Sequence, residues 1–392
     1  MAKLGEICRM IADGDWIETK DQSGDGIRLI QTGNIGNGQY LDKPEKAKYI
    51  TLETFNRLQC KAVLPGDILI SRLPDPVGRA CEVPQNIGQA ITAVDCTIVR
   101  LNSSICNDRY FLNYTQSQRY FHELQTYLAG TTRTRISRKN LEKIEVPLPS
   151  LDEQRHIAAV LDKVTDLIAQ RRAQLDKLDL LVKSRFVEMF GEPGTNEKGW
   201  GMAPLGSICQ INPKKGKEQR LVSGLQVSFV PMTAVTETGE IDVSETKMYD
   251  DVKTGFTYFA ENDVLFAKIT PCMENGKGAI AKGLCNGIGF GSTEFHVLRP
   301  ISGKTNPYWI YTLTAFSNFR LDAAGNMTGS AGQRRVPASF LENYKVSVPP
   351  IGEQNQFELF VQKCISAKTD IKCSLQKAEL LKNALMQRYF SR

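Results

Sequence analysis

The sequence predicts an α+β fold built twice: two strand-rich units, each followed by a long helix. Three observations predict it. At 392 residues the chain exceeds the size at which a single hydrophobic core stops growing. It also repeats itself with a period near 200 residues. Within each repeat a turn-rich texture gives way abruptly to an uninterrupted helical one.

The repeat is clearest where the texture changes. Pro149-Ser150-Leu151-Asp152-Glu153-Gln154 aligns with Pro349-Pro350-Ile351-Gly352-Glu353-Gln354. At the same offset Arg135 matches Arg335, Leu141-Glu142 matches Leu341-Glu342, Leu180-Leu181 matches Leu380-Leu381, and Phe190 matches Phe390. Both units open alike, with Leu4-Gly5-Glu6-Ile7-Cys8 against Leu205-Gly206-Ser207-Ile208-Cys209. In mid-unit Gly66-Asp67-Ile68-Leu69 parallels Asn262-Asp263-Val264-Leu265, and the rest of the middle diverges.

The strand-rich parts hold short apolar runs cut by turn signals such as Asp13-Gly14, Asn37-Gly38, Pro65-Gly66 and Asn275-Gly276. After Pro149 and Pro349 the chain carries no Pro or Gly from Asp152 to Phe190 or from Glu353 to Arg392. A Pro followed by an acidic first turn is a helix start. Ile157, Val164, Arg171, Leu178 and Arg185 share one heptad position, and Leu161, Ile168, Leu175, Val182 and Met189 its partner. Phe357, Cys364, Ile371, Ala378 and Leu385 do the same in the second helix. About 40 residues of helix span roughly 60 Å. Two such helices are expected to pair as an antiparallel coiled coil, giving a pseudo-twofold chain. The expected segments are 1–150 and 191–350 for the strand-rich domains, with helices at 151–190 and 351–392.

Composition excludes some classes and leaves others open. No stretch approaches the ~20 apolar residues of a membrane helix, and the first residues lack the apolar core of a signal peptide. A cytoplasmic protein is expected. The ten cysteines are scattered without a C-x-x-C pair, which fits reduced thiols rather than zinc or disulfides. The net charge is only +6, and no predicted domain is a polycation. Nucleic-acid binding must therefore be argued from local clusters.

Catalytic constellations are missing. The three histidines are His122, His156 and His296, the second read as a solvated helix residue and the others as packing residues. They form no Ser/His or Cys/His set and no His-x-x-x-His pair, and no phosphate loop is present. Thr305-Asn306-Pro307-Tyr308 lacks one proline of the adenine-methyltransferase base-holding motif, and Gly289-Phe290-Gly291 is only a scrap of a cofactor loop. The chain reads as non-enzymatic, with no metal and no cofactor of its own.

DNA contacts are expected from three places. The first is the cationic run 129–140, with Thr131, Thr132, Arg133, Arg135, Arg138 and Lys139, answered in the second unit by Ser330, Gln333, Arg334 and Arg335. Arg offers a planar fork to phosphates or to guanine O6/N7, and Ser, Thr and Gln add hydrogen bonds. The second place follows the mid-unit strand: Arg72 and Arg79, with Lys268 and Lys277 opposite, serving either DNA or a structural ion pair. The third is the loop 31–39, where Gln31 and Asn34 either read adenine or satisfy a tight turn.

In this order and in double copy, the Gly-Thr-Thr-x-x-Arg-Ile-Ser run and the Pro/Glu-Gln helices resemble specificity subunits of type I restriction–modification systems over essentially the whole chain. The resemblance implies two target-recognition domains, each reading half of a bipartite double-stranded DNA site. It implies helices that set the spacing and dock two methyltransferase subunits, with motor-nuclease subunits joining. S-adenosylmethionine, ATP and magnesium would then belong to the partners. Divergent middles under matching helices imply two different half-sites. The competing reading is a scaffold of two β-rich modules on a coiled coil that binds proteins and no nucleic acid.

Overall fold

The computed structural model describes residues 1–130, 134–216, 221–330 and 332–391. Contacts divide the chain into a first unit, Met1–Arg172 with Lys372–Arg392, and a second unit, Ala173–Ile371. The long helices span Leu151–Phe190 and Ile351–Phe390. The compact units do not follow the four segments read from texture, because each takes a length of both helices.

The reason lies in the apolar seams. In the first unit Val164, Leu167 and Ile168 cluster with Leu375, Ala378 and Leu385, and Arg172 pairs with Glu379 at 2.7 Å. Phe390 packs on Tyr110 and Tyr114 at ring separations of 5.5 and 5.6 Å. In the second unit Phe186 and Phe190 meet Phe357 edge-on at 5.5 and 5.4 Å, and Lys368 pairs with Asp179. Within each unit residue numbers rise along one helix as they fall along the other, so the segments are antiparallel. Arg185, at a heptad position, lays its guanidinium 5.9 Å from the Phe360 ring centre, keeping its stem on the seam and its head toward water.

The strand-rich parts have one topology in two versions. In the first unit an antiparallel sheet runs Cys8–Asp13, Cys96–Leu101, Ile68–Ser71, Ala80–Glu82. In the second the order is Cys209–Ile211, Phe295–Pro300, Val264–Ala267, Gly278–Ile280. A second sheet pairs Ile27–Ile30 in parallel with Ala90–Thr92, and Gln226–Val230 in parallel with Ile288–Gly291. Its extra strand in the second unit, Thr257–Ala260, is reduced in the first to an isolated bridge between Val63 and Ala90.

The mid-unit motif has a clear job. Gly66 (φ +84°) and Asn262 (φ +68°) occupy the same left-handed turn, a conformation that favours Gly and tolerates Asn. The next residue folds back: Asp67 Oδ2 accepts from Leu64 N at 2.7 Å, and Asp263 Oδ2 from Ala260 N at 2.8 Å. Both carboxylates are then gripped by an arginine of the neighbouring strand, Arg100 at 2.6 and 2.9 Å and Arg299 at 2.8 and 2.6 Å. A buried charge needs such pairing.

The Glu-Gln signature is explained by its second residue. Gln154 and Gln354 are 1% and 0% exposed. Gln154 accepts from Asn107 N at 2.8 Å and donates to Ile105 O and Pro149 O. Gln354 accepts from Asn306 N at 2.9 Å and donates to Lys304 O and Pro349 O. Each glutamine thus staples the first turn of a long helix to the start of the short helix Asp108–Tyr114 or Pro307–Ala315. All its bonds are satisfied indoors, which leaves little freedom for substitution.

Candidate nucleic-acid interface

The three loops singled out in the sequence meet within each unit. In the first, Arg79 is the fastener. Its Nε donates to Ile35 O (2.6 Å), Nη1 to Leu73 O (2.9 Å) and Pro76 O (3.0 Å), and Nη2 to Thr32 O (2.8 Å). Ile136 N donates to Arg72 O, and Ala129 bridges Arg135, which brings the cationic run against the same hairpin. In the second unit Lys277 Nζ donates to Met232 O at 3.2 Å, at the place of Arg79. Val336 N donates to Lys268 O, Thr270 N to Arg334 O, and Thr328 bridges Arg335.

The second unit adds a residue that the sequence did not reveal. Arg320 lies on the helix Ser317–Gly325 with 6% exposure and donates to Thr314 O, Met273 O and Gly276 O. Burial lowers its guanidinium pKa to about 10, so it stays charged at neutral pH. Nothing but its place between Phe319 and Leu321 hinted at a buried role.

Several expected contacts are corrected. Arg79 is 8% exposed, and its donors are directed to backbone carbonyls, so it shapes the surface instead of forming it. Asn34 is 7% exposed, accepts from Gln31 N and donates to Leu41 O, so its side chain serves the tight turn, while the Gln31 side chain stays half-buried at the surface. Lys277 is half-buried in a structural bond. Arg72 lies mostly inside, donating to Val94 O at 2.5 Å with Asp13 3.5 Å away. Arg138 is shared among Asp13, Glu142 and Ile11 O. His122 is exposed rather than packed, whereas His296 is buried between Asn212 and Val336 O.

What remains on the surface is a shorter set. Arg135, Lys139, Ser330, Gln333 and Arg334 are exposed, and Lys268, Gln31 and Arg335 are half-buried. Thr131, Thr132 and Arg133 lie outside the described residues. Arg335 is gripped by Glu294, with Nε at 2.9 Å and Nη2 at 2.8 Å. Arg334 lies 4.0 Å from Glu274. Neither acid was singled out in the sequence, because each comes from a loop distant in the chain.

The described residues contain no group of three or more His, Cys, Asp or Glu placed to hold a metal. Burial pushes the Cys81, Cys96 and Cys209 thiols up to about 12, far from the thiolate a nucleophile needs. No described helix is long and apolar enough to cross a membrane.

A family model described as the type I restriction modification DNA specificity domain matches residues 1–178 and again 197–381. The chain belongs to this family. The two matches fall one on each half of the sequence repeat. Over 196 residues the chain is 40% identical to the Escherichia coli type I restriction enzyme EcoAI specificity subunit, covering 48% of this chain and 32% of that one. It is also 40% identical over 210 residues to the EcoEI specificity subunit of the same organism, covering 53% and 33%. The matched stretch thus spans about a third of the length of these two relatives. The StySPI specificity subunit of Salmonella potsdam is 22% identical over 386 residues, covering 93% and 80%.

Solved structures agree on the fold of a specificity-domain protein. A chain from a structure of type I R-M system assembly and conformational transition superposes with a TM-score of 0.55 at 17% identity, covering 99% of this chain and 96% of that one. The S subunit of a type I restriction–modification system from M. genitalium gives 0.55 at 11% identity, covering 98% and 94%.

Proposed function

We propose that this chain is the non-catalytic, DNA-reading subunit of a cytoplasmic type I restriction–modification complex, each specificity domain reading one half of a bipartite duplex site. The observation that carries the reading is the surface built twice: a mid-unit hairpin whose cation, Arg79 or Lys277, bonds a neighbouring loop, with the loop that carries Arg135 or Arg335 hydrogen-bonded to the same hairpin. A protein-binding scaffold has no need for two such cationic rims on domains whose other loops diverge. The long helices, each entering both compact units, are the elements that set the spacing of the half-sites and receive two methyltransferase subunits. Motor-nuclease subunits complete the assembly. S-adenosylmethionine, ATP and magnesium act on those partners. Of the surface set, Arg135, Lys139, Ser330, Gln333, Arg334, Arg335, Lys268 and Gln31 are the proposed DNA contacts, with Thr131, Thr132 and Arg133 beside them in the sequence.

The test is duplex binding by the chain assembled with its cognate methyltransferase, measured between 50 and 200 mM salt. Phosphate neutralisation makes affinity fall steeply over that range, by about 10³-fold or more for six contacts. A flat response would support the scaffold. Methylome sequencing of cells carrying the system then gives the site, expected as two specific blocks separated by unspecified bases.

A further inference from the structure

Arg335 is held by Glu294, whereas no described residue holds its counterpart Arg135, and the way Arg335 is held determines which of its donors are left. A guanidinium has five N–H groups in one plane. Nε and one Nη2 hydrogen face Glu294, at 2.9 Å and 2.8 Å, and one Nη1 hydrogen goes to Gln333 O at 3.2 Å. Among the described residues one N–H remains on each Nη nitrogen, and the side chain is 42% exposed.

We propose that Arg335 reads a guanine in the half-site of the second domain, with Glu294 as its positioning residue; this rests on the DNA-reading function proposed above. A phosphate contact gains mainly from a net positive charge that releases counterions. Glu294 cancels that charge locally, so Arg335 contributes little to phosphate attraction. A base edge is neutral and demands geometry, and guanine O6 and N7 accept a paired donor fork. The carboxylate fixes the plane of the guanidinium, as recognition by a two-pronged donor requires. The hydrogen bond from Arg335 holds the Glu294 carboxyl below its usual range, so the pair stays ionised at neutral pH. Lys268 and His296 also face Glu294, and burial keeps His296 toward its neutral form. Arg135, without an acid beside it among the described residues, is suited to a phosphate instead.

The experiment is selection of duplexes from a random library by the chain assembled with its cognate methyltransferase, at low and moderate salt. The variants are Arg335→Ala, Arg335→Lys and Glu294→Gln, with Arg135→Ala as the first-domain control. Retained selection at the other positions of the second half-site shows that the second-domain variants are folded. Wild type is expected to demand guanine at one position of the second half-site. Arg335→Ala and Arg335→Lys both lose that demand by about 5- to 150-fold, because lysine keeps the charge and lacks the fork. Glu294→Gln loosens the same position while raising affinity for unrelated DNA, since the freed charge finds phosphate. A merely structural role would not split specificity from affinity in this way. The proposal is overturned if Arg335→Ala weakens all sequences alike and Arg335→Lys restores them, which marks a phosphate contact. It is overturned equally if wild type reads both half-sites and Arg335→Ala leaves the second unchanged. A wild type without sequence preference would overturn the functional reading and this proposal with it.

Discussion

Arg135 and Arg335 stand at one place in the repeat, yet their surroundings differ. Arg335 is clasped by Glu294, whereas no described residue holds the exposed Arg135 guanidinium. The same contrast recurs beneath the surface. The loops of the first unit are fastened by one arginine, Arg79, and those of the second by Lys277 and Arg320 together. By contrast the Asp67–Arg100 and Asp263–Arg299 pairs, and the Gln154 and Gln354 staples, are nearly superposable in their bonds. Duplication has preserved what builds the domain and released what faces outward. Two specificity domains with different outer surfaces on a common frame are the physical consequence.

The two units should respond most strongly, and separately, to substitutions at the helix ends. Phe390→Ala is expected to destabilise the first unit by about 3–5 kcal/mol, and Phe190→Ala the second by a similar amount, since each loses a buried ring. Hydrogen exchange resolved by residue should show protection lost around Tyr110 in one variant and around Trp309 in the other. Loss in the same unit for both would refute the division of the helices. Next, Arg100→Met and Arg299→Met each strand a buried aspartate, costing about 3 kcal/mol. Denaturant melts should show comparable losses, and clearly unequal ones would end the structural equivalence of the two motifs.

At the surface, Arg135→Ala is expected to weaken DNA binding by roughly 1–3 kcal/mol across all sequences and to reduce the salt slope by about one. Titrations of binding against salt check this, and a change in the bases selected would contradict it. The smallest effect is on pH dependence. Burial lowers the pKa of His296 below its ordinary 6.5, so the folded second unit binds fewer protons there than the unfolded chain. The stabilisation is therefore fully present above about 6.5 and is lost as pH falls from there through the folded pKa. His296→Gln should flatten the thermal stability of the second unit over that interval, with the first unit unchanged.

Much of this was legible in the sequence. The 200-residue register, the helix starts at Pro149 and Pro349 and the heptad positions all depend on local chemistry, and local chemistry is written in order along the chain. The partition of the helices was not legible, because an apolar seam says that a helix is covered without saying by what. The surface was half legible for a related reason. Arg79, Asn34 and Arg135 look alike as polar residues in turn-rich loops, and only the carbonyls of Thr32, Ile35 and Leu41 decide which of them face inward. Glu294 was missed since its partner lies 41 residues away, and acids near strands are common.

The sharing of the helices bears on how the molecule comes into being. A ribosome makes the strands of the first domain early, but the ring that seals its floor against Tyr110 and Tyr114 is Phe390. The second domain needs the helix Ile351–Phe390 only as far as Ile371, where Phe357 meets Phe186 and Phe190. Domains emerging from synthesis ordinarily fold in order from the N-terminus. Here the domain translated first draws part of its core from residues made after those of the second domain.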